Sequence, residues 1–414
     1  MNILTPYSIS KHLSVMQNLR FSLSTDASNK GNVKLFPVVI KYFNKNEGIV
    51  NFVLDLYDDA NEKSIDIYNN ITRILKSYNL SISNVIAYGA DNASLNYGIH
   101  KSVYVNLQNE NNCIVKGNCN CHIIHNTAKY GLMKIPVDIE NLVYKLYDHF
   151  KISAKRVDQL KSCYEFCDYE YTKLLQYTPT RWLSLYKAID RLILNYDAIK
   201  SYFIGVDSKD CENIIVDFIR SKSAFKNCDL TMFDVFIHFG HHYMELFTEY
   251  VLKLEKRPTN AAHLYDIMHE LRVKIKNRIE EKFFGIKVRE YMKNLSNEEK
   301  QQIITPALEA YNRTLEYLED RFDYDKSIFK YFSALNFDTS LNFDKFETIA
   351  HKLHINIDAN KLFDEITVIN EVLAKLTTDE KNLENDKLWS KILMENYFPN
   401  IQSIVVSFMH SCFE

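Results

Sequence analysis

Two aspartates stand at the ends of short β-type runs. Phe21 to Thr25 lead into Asp26, and Val85 to Ala90 lead into Asp91. Carboxylate oxygens held a few ångströms apart on neighbouring strands suit Mg²⁺ or Mn²⁺, which can activate a water or hydroxyl and stabilise a phosphodiester leaving oxygen. Asp before Ala-Ser or Asn-Ala is also good turn chemistry, so spacing alone leaves a turn role open.

A second constellation lies in GNCNCHIIHNTAKYGLMKIP, Gly117 to Pro136. Cys119 and His122 are three apart, as are His122 and His125, so a helix would line them along one side. Thiolate and imidazole at such spacing can bind zinc, with Cys121 as an alternative ligand. No second pair of standard finger spacing follows, Cys163 and Cys167 being the nearest candidates. Buried Cys and hydrogen-bonded His are common core residues, so a structural zinc is not expected.

The third group is Thr180, Arg181 and Trp182. Thr178-Pro179-Thr180 reads as a cap and turn before one long amphipathic helix, with Trp182, Leu185, Ile189, Leu192 and Tyr196 on its inner stripe. Arg181 in the first turn opposes the helix dipole, which calls for a phosphate or an acidic partner. A salt-bridged structural Arg beside a core Trp is the alternative.

These residues need a scaffold. LFPVVIKYF and GIVNFVLDLYD add two β-branched and aromatic runs between the aspartates. DANEKSIDIYNNITRILKSYNL then supplies a helix with Ile67, Tyr68, Ile71, Ile74, Leu75 and Tyr78 on one face. The order is strand, strand, strand, helix, strand, in which an RNase H-like domain is built, with one carboxylate on its first strand and another at the end of its fourth. Tyr97 to Cys113 is polar and Asn-rich, a loop with a short helix, and Ile114 and Val115 point to a brief fifth strand. Two helical segments follow between Pro136 and Tyr171. From Asp207 to about Glu380 the chain reads as successive helices with almost no β signal.

Composition agrees with an α/β plus all-α protein of more than one core: 414 residues, 46% hydrophobic, 25% charged, nine Gly and none beyond Gly285. The net charge of −3 gives no global attraction to nucleic acid, so a DNA surface must be a local patch. No run of about 18 apolar residues occurs, and the N-terminus lacks a signal pattern, so no membrane partner and an intracellular location are expected. Eight unevenly spaced Cys read as reduced thiols.

STDASNKGN with LFPVVIKYF, then VIAYGADNASLNYG, then CNCHIIH, then TPTRWLSLYKAIDRL together resemble the catalytic region of hAT-superfamily transposases and the cellular proteins derived from them. The resemblance implies that Asp26 and Asp91 are catalytic, metal-binding aspartates. It also implies that Cys119 and His122 form the family's Cys-x-x-His motif, and that Thr180, Arg181 and Trp182 form its Thr-Arg-Trp motif, with Arg181 and Trp182 touching nucleic acid. It implies an RNase H-like domain interrupted by a large helical insertion, followed by C-terminal helices of the hAT dimerisation type. The expected boundaries are 1–18 for a lead-in, 19–205 for the first part of the core, 206–380 for the insertion and 381–414 for the C-terminal part.

The family carries its third acid in a Ser-x-Ala-x-x-Glu-Arg helix, whereas this chain ends in HSCFE. Glu414 falls in register only with Met409 at the Ser position. The expectation is a truncated or domesticated copy, nuclear, oligomeric and DNA-associated, without full transposition activity. The alternatives are an active metal-dependent transposase core and an unrelated helical scaffold with chance motif matches.

Overall fold

The structure is a computed structural model that describes residues 4–16, 19–178, 184–206, 208–226, 228–255, 261–325, 327–337 and 340–409. Within it the chain is mixed α/β, mostly helical, with one small mixed sheet. Two compact units divide it. One comprises Met1–Ile123, Leu254–Ile267 and Asp323–Glu414, and the other Ile124–Lys253 and Met268–Phe322. This division follows packing, and its boundaries differ from those the resemblance implies at 205 and 380. Among the described residues no helix is long and apolar enough to cross a membrane.

The first unit holds the sheet: β1 (Phe21–Ser24), β2 (Ser28–Lys30), β3 (Val33–Asn44), β4 (Gly48–Asp58), β5 (Val85–Ala90) and β6 (Val115–Asn118). β3 pairs antiparallel with β4 along one edge and with β1 and β2 along the other. β1 pairs parallel with β5, and β5 parallel with β6. Pro37 is tolerated inside β3 because it falls between Leu35, the last residue paired to β2, and Val39, the first paired to β1. There its missing N–H breaks no ladder bond on that edge. β2 is an addition to the strands read from the sequence. It is polar and fully exposed, so no apolar alternation announces it.

All six residues of β5 are buried, the pattern of a strand covered on both faces. Helix α1 (Leu4–Met16) buries Met16, and its His12 ring stacks on Phe52 with centroids 4.5 Å apart. Helix α2 (Ser64–Ser77) buries Ile67, Ile71, Ile74 and Leu75, four of the six residues expected on its inner face, with Tyr68 and Tyr78 packed at the margin. This crossover between β4 and β5 lets β5 run parallel to β1. Short helices α3 (Ser94–Tyr97) and α4 (Val103–Glu110) join β5 to β6.

The C-terminal helices Asn385–Glu395 and Pro399–Met409 belong to the same unit. Trp389 is fully buried, its indole N–H donating to Leu335 O at 3.0 Å. Asp386 Oδ2 accepts from Ile49 N at 3.0 Å, and Ser390 and Lys387 bond to the carbonyls of Lys45 and Glu47, which clamps the β3–β4 turn. Arg20, just before β1, donates to Ser407 Oγ at 3.2 Å.

The second unit is helical. One long helix expected after Thr180 is instead two, Ser184–Leu194 and Tyr196–Ile204. Asn195 breaks it: its amide donates to Arg191 O while its Oδ1 accepts from Thr172, so the side chain competes with the helical ladder. Leu185, Ile189 and Leu192 are buried as expected, whereas Tyr196 is half-buried and donates its hydroxyl to Asp234.

The clamped turn yields a stability test. Gly48 has φ +78°, and a Cβ there would stand 2.4 Å from Asp386 Oδ2, whereas Gly31, at φ +62°, has nothing within 4 Å of that position. Both strains favour glycine, but only the first adds a collision. In urea unfolding, Gly48→Ala is expected to cost about 2 kcal/mol or more, and Gly31→Ala about 1 kcal/mol. Equal losses would show that the Asp386 contact does not restrain the turn.

Candidate functional site

The parallel register brings three chain exits together. Ser24 stands opposite Gly89, and Ala90 opposite Asn118. Thr25 N donates to Gly89 O at 3.0 Å and Cys119 N to Ala90 O at 3.1 Å, so the ladder continues past the strand ends. Asp26, Asp91 and Cys119 therefore emerge side by side at the C-terminal edge of the sheet. Parallel strands commonly present ligand-binding groups at this edge.

Asp91 is held by its own loop. Its Oδ1 accepts from Asn96 Nδ2 at 2.7 Å and from Ala93 N at 3.2 Å, closing an Asx turn. Asn96 is buried and accepts in turn from Tyr88 Oη at 3.1 Å. Tyr97 Oη lies 2.9 Å from Tyr88 O and 3.0 Å from Gly117 O, bridging β5 to β6. Both bonds from Asn96 and Ala93 go to Oδ1 of Asp91. Asp26 is surface-exposed as a residue, yet desolvation of its carboxyl raises its pKa. His122 works against that rise, and Asp91 and Cys119 add to it.

Cys119 precedes helix α5 (Asn120–Leu132), and His122 lies in its first turn. Asn92 Nδ2 donates to Cys119 O at 2.9 Å, tying the loop after Asp91 to the start of that helix. The Cys119 thiol is lowered to about 5. A hydrogen bond from Cys121 is the largest cause; burial opposes the fall, and the side chain, charge and backbone N–H of His122 add to it. His122 is raised, first by its hydrogen bond to Cys119 and then, against desolvation, by the charges of Cys119, Asp91 and Asp26. The pair is thus drawn toward thiolate and imidazolium at a helix N-terminus, a setting that favours thiolate.

The structure thus joins Asp26, Asp91, Cys119 and His122 from three separate motifs. Thr180, Arg181, Trp182 and Glu414 lie outside the described residues. His125 falls one turn further along α5, and Cys163 and Cys167 lie on and just after helix Ala154–Phe166. Asn96, Asn92 and Tyr97 join the site without belonging to any of the candidate residues above. The one signal for Asn96 is its place five residues after Asp91 in the run DNASLN.

As a metal site the donor set fits in part. Two carboxylates offer hard oxygens for Mg²⁺ or Mn²⁺. Among the described residues no group of three or more His, Cys, Asp and Glu side chains is arranged to hold an ion.

The thiolate can be tested directly. Alkylation of Cys119 by iodoacetamide, followed by peptide mass spectrometry, is expected to fall off only below about pH 5. His122→Ala removes a hydrogen-bond donor and a cation, so the inflection should move up toward the ordinary thiol value of about 8.5. An inflection that does not move would show that the imidazole does not hold the thiolate.

Compared with models of known protein families and with curated protein sequences, the chain matches none.

Proposed function

We propose that this chain is an hAT-transposase-like, DNA-associated protein whose sheet is an RNase H-like core and whose Asp26 and Asp91 bind a divalent cation weakly. One observation carries the reading: the two acids leave neighbouring parallel strands at the same edge, with Cys119 and His122 of the third motif beside them. The strand order β4-β3-β1-β5-β6 and the crossover helix before β5 also support it.

Each residue has a part in this proposal. Asp91, fixed by Asn96 and the Ala93 amide, and Asp26, on the adjacent exit, would hold the cation. Bound there, Mg²⁺ or Mn²⁺ would supply charge neutralisation for a phosphodiester. His122, whose pKa is raised by Cys119 and by the charges of the two acids, would offer an N–H to a phosphate oxygen. Arg181 and Trp182 are assigned to the nucleic acid by the resemblance alone, and a third acid at Glu414 has the same basis. Two anchored carboxylates fall short of what in-line displacement with two metals requires, so we assign binding rather than strand transfer.

The test titrates Mn²⁺ into the protein and its Asp91→Ala variant, then incubates both with a labelled nicked duplex. Binding with a dissociation constant on the order of 10⁻⁴ M or weaker is expected, reduced at least about fivefold by the substitution, with no cleavage by either protein. Equal Mn²⁺ binding by both proteins would remove Asp91 from the site. Metal-dependent nicking lost in Asp91→Ala would replace this reading with that of an active transposase.

A further inference from the structure

The helical unit contains a strongly cationic hollow that the site above does not involve. Helix Ala261–Glu280 ends in a tight reversal: Lys282 has φ +50°, and Phe283 N donates to Arg278 O at 3.0 Å. Gly285, at φ +107°, completes the turn so close to His242 that an added Cβ would stand 2.9 Å from its ring. Helix Ile286–Met292 and the start of Asn297–Arg321 follow. Together they enclose an open hollow of about 730 Å³, a size typical of small-ligand sites.

Its lining is unbalanced. Lys274, Arg278, Lys282, Arg289, Lys293 and Lys300 contribute to it, against the single acid Glu281. Lys274 is compensated, lying 3.1 Å from Glu249 and 3.2 Å from Glu270. Arg278 donates Nη1 to Lys274 O, while its buried Nε has no partner among the described residues. Lys282, Arg289, Lys293 and Lys300 form no ion pair with any described residue, although nearby Lys287 finds Glu290 at 3.3 Å. Like charges gathered round one concavity repel one another and attract counter-anions. One carboxylate ligand would offset only one of them, whereas vicinal phosphates match several cations at once. Phe284 and Ile304 also line the hollow and add apolar surface to it.

We infer that this hollow binds a compact anion with clustered phosphates, a di- or triphosphate group. A concave site of this volume suits a free polyphosphate or nucleotide better than a duplex, which needs an extended surface. The inference stands apart from the Asp26 and Asp91 reading and fails or holds independently of it.

Calorimetry of the full chain at about 0.15 M salt, with inorganic triphosphate, adenosine triphosphate or a duplex of roughly 20 base pairs as the probe, tests it. The two phosphate compounds are expected to bind and compete. Lys293→Ala with Lys300→Ala should weaken them at least about tenfold, with melting unchanged, since neither lysine is ion-paired. The control Lys155→Ala with Lys345→Ala should bind as the parent does. Duplex binding alone, lost in the pocket variant, would assign the clustered phosphates to a nucleic-acid backbone. Failure of every probe, or binding unchanged in the pocket variant, overturns the inference.

Discussion

The candidate site depends on the register of three parallel strands. β5 is bonded on both sides and buried on both faces, so it cannot slide without breaking two ladders. A one-residue slip would send each of its side chains to the opposite face and separate Asp91 from Asp26. Phe21, Leu23, Val85 and Tyr88 are fully buried and hold the register. Each contributes roughly 1.5–3 kcal/mol by leaving water. The Tyr88 hydroxyl then links that core to the loop of Asp91 through Asn96.

At the edge so formed, Asp26, Cys119 and His122 act on one another's ionisation, with the charge of Asp91 beside them. Two carboxylates alone would repel, and the crowding that desolvates Asp26 makes its charge costlier still. His122 works against the rise at Asp26, and its own pKa is raised first by its hydrogen bond to Cys119. That thiolate is in turn stabilised by Cys121, by His122 and by an amide at the start of α5. Removing the histidine therefore alters Asp26 and the thiol together. Such mutual tuning is more common at functional sites than in plain structural pairs.

The helical unit is built on close aromatic packing. Tyr243 is fully buried, its hydroxyl 3.1 Å from Ala128 O and 2.6 Å from Thr314 Oγ1. A Cβ at Gly131 would fall 2.0 Å from that hydroxyl, so glycine there is a packing requirement rather than a matter of backbone freedom. Phe239, Phe284 and Tyr311 are buried with it, and each ring lies within 6.4 Å of another. The turn that carries Lys282 is seated on this base through the buried Phe284.

Local pattern was enough to predict much of the chain. Period-two and β-branched runs located β1, β3, β4 and β5, and the apolar spacing of Ile67, Ile71, Ile74 and Leu75 oriented α2, because these signals come from neighbours within one element. β2 escaped because an exposed three-residue strand carries no apolar signature. The break at Asn195 escaped because it depends on Thr172, more than twenty residues away. The residue types at the site were likewise legible as Asp26, Asp91, Cys119 and His122. The strand order also pointed to neighbouring exits for the two acids, whereas the arrival of Cys119 and His122 beside them, the restraint of Asp91 by Asn96 and the lowered Cys119 thiol were decided only by tertiary structure, because parallel pairing and charge coupling act between segments far apart in the chain.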